Sequence, residues 1–438
     1  MSRSTRKPTS GRRVARVVAL CVVLGIGGAM VALANPVSAS PRPQVAPRTV
    51  TLQFWNAYNT TDTEASTMAN IVIPKFESEN PGITVVSDVI PYGDLLGDYL
   101  TAVAAGDPPD VMRSDIAWVP ELAADGTLLN VGKQSWYKST VKGALPGPLL
   151  TTEYKGQFYA LPLDTNTQAL FWNKALFAAA HITKPPTTLA QMFTDAKKLT
   201  VKSKGQFGLG VDGTDIWNVA PYIWSEGGSF TNLSYTRATG FMDSAATETA
   251  VSALYSLLKE GVIGSDFRGG SGAVSGEEGF PKDEYAMYID GPWAVATYNG
   301  DSPPFHDYGI SLFPSGPAGS LSTVGGEDAI IPAGGHHIAD AVKFARFLES
   351  PFSQLEMAKA GQMSTFETDA TAEVKAVPYD AIFTQQLKTA VVRAVTQYYA
   401  KMDSIFSSEL EEIIDGKISV DAGLLDAALA SNLALHGK

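Results

Sequence analysis

β-Branched and aromatic residues dominate positions 50–55, Val-Thr-Leu-Gln-Phe-Trp, which predicts an opening strand. A polar, turn-like stretch follows from Asn56. Asp62 is placed to cap a helix carrying Met68, Val72 and Phe76 at i, i+4 and i+8, with Pro74 expected to bend it. Asn80-Pro81-Gly82 marks a turn, and residues 83–90 return as a strand. Residues 94–105 read as a helix, 106–109 (Gly-Asp-Pro-Pro) as a turn, 110–112 as a short strand and 119–124 as a helix. This β-α-β-α-β alternation predicts a parallel sheet covered by helices.

Further along, residues 159–162 read as extended and 170–180 and 189–199 as helical. Residues 205–211 form a glycine-rich candidate strand. Residues 245–260 predict a helix with Val251, Leu254 and Leu258 on one face, and 286–289 a strand. A helix is expected over 339–348, and the last 50 residues are read as mostly helical. No internal repeat interrupts this order. At 438 residues the chain is too long for one hydrophobic core, so two domains are expected in an α/β architecture.

The first 40 residues follow a different pattern. Arg3, Arg6, Lys7, Arg12, Arg13 and Arg16 form a basic leader with no acidic residue. An apolar run then extends to Ala34, and the small-residue sites Ala32-Leu33-Ala34 and Val37-Ser38-Ala39 follow. That order is a secretory signal peptide, with cleavage expected after Ala39. A retained membrane anchor is the alternative. Cys21, the single cysteine, lies within the apolar run behind Leu20, so a lipid-anchor role is less favoured; it excludes an intramolecular disulfide and a cysteine-built metal site. Residues 40–48, rich in proline, read as an extended tether. Removing the leader takes the net charge from −12 to −18. So acidic a surface argues against nucleic acid as a partner. No later stretch is apolar enough to cross a bilayer, so the body is expected to be a soluble, exported monomer.

Chemical motifs are sparse. The five histidines, His181, His306, His336, His337 and His436, have no metal-ligand spacing, and neither a nucleophile elbow nor a phosphate-binding loop is present. Gly269-Gly270-Ser271-Gly272 lacks the Lys-Ser/Thr of a phosphate cradle and reads as a loop. No cofactor or metal is called for, and binding is favoured over turnover. The tryptophans carry more. Trp55, Trp118, Trp172, Trp217, Trp224 and Trp293 fall at or near predicted strand ends, where open α/β sheets bind ligands. An indole packs on the C–H face of a sugar, and short polar side chains bridge its hydroxyls. Asn56, Asp115, Asp215 and Asn218 lie beside three of these rings. A plain core role is the competing reading for any one of them, strongest for Trp172 and Trp136.

Several segments resemble landmarks of the extracellular solute-binding proteins of the maltose-binding type. Residues 76–83 (FESENPGI) resemble its F-x-x-x-x-P-x-I turn, and 106–111 (GDPPDV) its G-x-x-P-D-V. Residues 154–162 (YKGQFYALP) followed by 170–174 (LFWNK) are similar to its Y-x-G-K-x-Y-A-L-P and L-x-Y-N-K segments. Gly291-Pro292-Trp293, Gly325-Gly326 and residues 344–351 (FARFLESP) complete the set, in family order. The resemblance implies a two-lobed periplasmic-binding-protein-like α/β fold, each lobe a sheet flanked by helices, with several hinge crossovers. One lobe is expected to comprise 49–163 plus 315–360, the other 164–314 plus 361–438. Hinges are expected near Leu163-Asp164, Phe313-Pro314 and Ala360-Gly361. It further implies a sugar or oligosaccharide held in the inter-lobe cleft and delivered to the membrane permease of an ABC importer.

Carried over to this chain, the resemblance makes Trp293 the sugar-stacking tryptophan and places Trp217 and Asp215 on the second lobe's lining. Asn166 occupies a position often held by a carboxylate, and Asp164 shares its role. Asp115, Trp118, Asn56, Tyr58 and Glu327 are candidates by loop position, and Tyr399 by its C-terminal segment. Two alternatives stay open: a secreted carbohydrate-active hydrolase, and a binding protein for a non-sugar solute such as glycerol phosphate. The second would want cations in the cleft, and the candidate loops hold only Arg113.

Overall fold

The structure is a computed structural model that describes residues 49–60, 63–269, 273–300 and 303–438. The leader, Cys21, the tether, the expected cap Asp62 and residues 270–272 of the glycine loop lie outside the described residues.

Eleven strands are assigned among them. β1 (Val50–Asn56), β2 (Ile83–Val89) and β3 (Val111–Asp115) come first, then β4 (Glu153–Tyr154), β5 (Gln157–Phe158), β6 (Ala160–Asn166) and β7 (Ala169–Asn173). β8 (Met287–Asp290), β9 (Tyr308–Ser311), β10 (Ser322–Ile330) and β11 (Ala390–Val392) follow. β1 pairs in parallel with β2 and β3, as the alternating strands and helices predict. β10 then runs antiparallel to β3 on one side and to β6 on the other, and its first residues pair in parallel with β11, giving a six-stranded sheet. The side chains of this sheet feed two cores because successive residues point to opposite faces. Val111 and Ala329 join Leu52, Phe54, Phe76 and Phe344, whereas Met112 and Ile330 join Tyr99, Val119 and Leu122. Phe344 sits edge-on to both Phe54 and Phe76 at 5.2 and 5.0 Å. The helix before β2 is three pieces, Glu64–Thr67, a π-turn at Met68–Val72, and Ile73–Glu79. Pro74, which has no N–H to donate, sits in the first turn of the last piece.

The second sheet is small and wholly antiparallel, with β7 between β8 and β9. Residues 170–180 were expected to be helical, but 170–173 belong to β7. Leu170 faces a core of Leu189, Met192, Val219 and Ile223, and Phe171 faces Phe280, Tyr288, Tyr298 and Phe383. A strand buried on both faces is apolar at every position, so it shows neither period to a reader of sequence. Only Lys174–Ala179 is helix, capped by the Asn173 side chain on the Leu176 amide. Residues 205–211 are not a strand either. They are irregular backbone that touches Tyr285 and Ile263 through single bridges at Phe207 and Leu209. Gly208 is needed there, since a Cβ would lie 1.9 Å from the Ala196 carbonyl oxygen.

Among the described residues the chain passes between the two sheets with their cores repeatedly. β6 runs into β7 across Thr167 and Gln168, β10 arrives after β9, and Met363 bridges to Thr165 before the helices Glu367–Ala376 and Asp380–Leu387. No helix among the described residues is long and apolar enough to cross a membrane.

Candidate functional site

Where these crossings meet, a cavity of about 540 Å³ opens. Its aromatic wall is Trp217 and Trp293, with ring centroids 6.3 Å apart and planes inclined by 32°. Glycine makes both placements possible. A Cβ on Gly291 would sit 2.0 Å from the Trp293 ring, and one on Gly325 would sit 2.6 Å from the Trp217 ring and 2.1 Å from Asn166 Oδ1. Trp293 opens the helix Trp293–Gly300 directly after β8. Trp217 sits in the first turn of the helix Ile216–Glu226, whose N-cap is Asp215. The Asp215 carboxylate accepts from the Asn218 amide N–H at 3.2 Å and from the Asn218 side chain at 2.7 Å.

Two buried arginines organise the polar wall. Arg113 on β3 donates from Nε to Asp164 Oδ2 at 3.1 Å and from Nη2 to Glu327 Oε2 at 2.6 Å, with Tyr58 beneath its guanidinium at 4.5 Å. Burial raises the Glu327 carboxyl above the usual range while Arg113 pulls it back down. Arg393, just past β11, donates to Asp115 Oδ1 at 3.1 Å and lies over the rings of Trp217 and Tyr399 at 5.4 and 5.5 Å. Asp115 Oδ2 accepts from the Tyr92 hydroxyl at 2.9 Å. On the same wall Glu64 accepts from the Asn59 amide and the Gln362 side chain.

Six of the eleven residues carried over by the resemblance line this cavity, Trp293, Trp217, Asp215, Asn166, Asp115 and Glu327, and so does Asn218, read beside Trp217. The other five stand behind or beside it. Asn56 is fully buried and bonds Ser87 and its own strand. Tyr58 and Asp164 support Arg113. Tyr399 lies under Arg393, and Trp118 packs on Tyr92 at 5.2 Å. Among the remaining tryptophans, Trp55, Trp172 and Trp224 pack into cores. Reading from sequence missed Tyr92, Gln362, Asp403 and above all Arg393. With Arg393 present, Arg113 is not the sole cation of the site. Nothing in Val391-Val392-Arg393-Ala394 marks it; only the fold carries that short strand to the cavity.

The profile of the bacterial extracellular solute-binding proteins matches residues 59–355. The chain belongs to this family. A binding protein of Brucella abortus is 27% identical over 374 residues, covering 82% of this chain and 88% of the relative. The multiple sugar-binding protein of Streptococcus mutans is 24% identical over 359 residues, covering 76% and 78%. Among solved structures, the GacH receptor of Streptomyces glaucescens, studied unliganded and with acarbose, superposes with a TM-score of 0.79 at 24% identity, covering 89% of this chain and 99% of that one. Maltose-bound MalE3 of T. maritima superposes at 0.77 with 21% identity, covering 88% and 100%. The fold of this family member is therefore the two-lobed maltose-binding type, and the cavity opens where the strands of its two sheets cross over.

Proposed function

We propose that this solute-binding protein captures a sugar or oligosaccharide in the cavity between Trp217 and Trp293 and delivers it, outside the cytoplasm, to the membrane permease of an ABC importer. The observation that carries this reading is the pairing of two partly exposed indoles with Asp215, Asn166 and Asn218 around one cavity. Apolar ring faces and short polar side chains are the two things a pyranose needs. The sugar-binding names of its relatives support the same class. A phosphate ligand is disfavoured because both arginines are already matched by carboxylates, Arg113 by Asp164 and Glu327, and Arg393 by Asp115.

In this reading the segments at Leu163-Asp164, Phe313-Pro314 and Ala360-Gly361 act as hinges. Residues 49–163 with 315–360 move against the remainder, and a sugar touching both halves favours the closed arrangement. A thermal-shift screen against mono-, di- and oligosaccharides tests the function, because a ligand selective for the folded state raises the melting temperature. Calorimetry then tests the site. Trp293→Ala is expected to weaken the sugar found in the screen by about tenfold or more, about 1.4 kcal/mol, with the fold retained. Unchanged affinity would remove Trp293 from the site.

A further inference from the structure

The last helix, Val420–Ala434, is apolar on both faces. On one face Gly423, Leu424, Ala427, Ala428, Ser431 and Ala434 are buried, and Leu424 joins the core of Val219 and Ile223. A surface helix ordinarily turns polar residues to the other side. Here that side carries Leu425, Leu429 and Leu433, which are 44, 51 and 57% exposed. Spaced four residues apart, they form one row about 12 Å long. The two ends of the row differ in charge. Asp421 and Asp426 are exposed at its start. Glu409 of the preceding helix lies close by, and its carboxyl is pushed up by burial and then by Asp426 and Glu412. At the other end Leu433 borders a hollow of about 520 Å³, whose lining includes Asn232, Thr236, Arg237 and Lys438. The Asn432 side chain accepts from the Ala238 amide at 2.6 Å, which sets Arg237 beside that end. Among the described residues none of Asp421, Asp426, Arg237 and Lys438 takes part in an ion pair.

We propose that a second copy of this chain covers the row, with the two Val420–Ala434 helices packed antiparallel about a two-fold axis at Leu429. That register pairs residues equally far to either side of Leu429. Leu425 then meets Leu433 of the second copy, beside the hollow. Asp426 meets Asn432 with Arg237 next to it, and Asp421 meets the segment that ends in Lys438. The acidic end of each copy thus faces the basic end of the other. A parallel pair would set Asp421 and Asp426 against themselves and Arg237 against itself, so charge selects the antiparallel arrangement. An anionic membrane suits the row less well, because it would be repelled by the acidic end. None of the residues lining the sugar cavity belongs to this helix, so both copies keep the cleft free. The proposal sets a weak dimer against the monomer expected from sequence.

The test is sedimentation equilibrium of the leader-free chain at about 0.15 M salt, where charges more than about 8 Å apart are screened. A contact made by one helix face lies below about 1,200 Å², so a reversible dimer with a Kd of about 10–100 µM is expected. Leu429→Glu sets two like charges on the two-fold axis and should raise the Kd by about tenfold or more, with the circular dichroism unchanged because the leucine is half exposed. Asp426→Arg and Arg237→Asp should each weaken the dimer by about threefold or more. Both changes in one chain should restore it, because each copy then offers the same pair with the signs reversed. A chain that stays monomeric to about 500 µM, a dimer indifferent to Leu429→Glu, or a double variant no better than either single one would overturn the proposal. So would a monomer that binds vesicles of equal parts phosphatidylcholine and phosphatidylglycerol and loses them in Leu429→Glu, a result that gives the row to a membrane surface.

Discussion

Trp293 can lean into the cavity because Gly291 has no side chain to block its ring, and Asn166 and Trp217 can share one patch because Gly325 has none either. Function at this scale depends on what neighbours omit as much as on the side chains themselves. The Gly-Pro-Trp and Gly-Gly segments were visible in the sequence as family landmarks. The charged half of the site was not, because an ion pair such as Arg393 with Asp115 joins residues 278 positions apart. Asp403 carries a stability consequence of its own. With its folded pKa raised to about 6, the folded chain holds this proton more tightly than the unfolded one, so the contribution to stability is present below the ordinary carboxylate range and is lost as pH rises through 6. Asp403→Asn keeps an acceptor for the Ile216 amide. It is expected to match the wild type near pH 4 and to exceed it at neutral pH by up to about 3 kcal/mol, an upper figure because the side chain keeps some solvent contact. Urea unfolding of both proteins at the two pH values measures the difference, and a constant offset would contradict the assignment.

Among the elements, β10 matters most, since β3, β6 and β11 all pair with it. Gly326 lets it pass: its φ is +121°, and a Cβ there would lie 2.3 Å from the Asp164 carbonyl oxygen. Gly326→Ala should cost about 3 kcal/mol or more in chemical unfolding, from backbone strain and displacement of β6 together. Gly334→Ala, in open space with no positive φ, should stay within about 1 kcal/mol of wild type. Equal behaviour of the two variants would refute the role given to Gly326. The helices Val119–Ala124 and Leu189–Leu199 were legible to the residue, and Ala245–Lys259 to within one; in the two longer ones the half-buried face writes a 3.6-residue period into the sequence. β7 and the irregular 205–211 segment were not. In the first, burial on both faces erases the period; in the second, isolated bridges leave no repeating pattern.

On the scale of the molecule, the sequence carried the two-lobed architecture through its family landmarks and left the geometry of the cleft open. The first sheet met the expectation of parallel strands only in part, as β6 and β10 run antiparallel beside them. The cavity lies where the crossings between the two sheets meet, and its walls are drawn from elements of both sheets, which is where the proposed closure would act. Sugar capture by closure of the two halves is the central claim, and a crystal structure of the chain grown with the sugar found by thermal shift tests it most directly. One sugar is expected to lie against Trp217 and Trp293, within hydrogen-bond distance of Asp215 on one half and of Tyr92 or Glu327 on the other. A sugar bound elsewhere, with both indoles untouched, would contradict the claim.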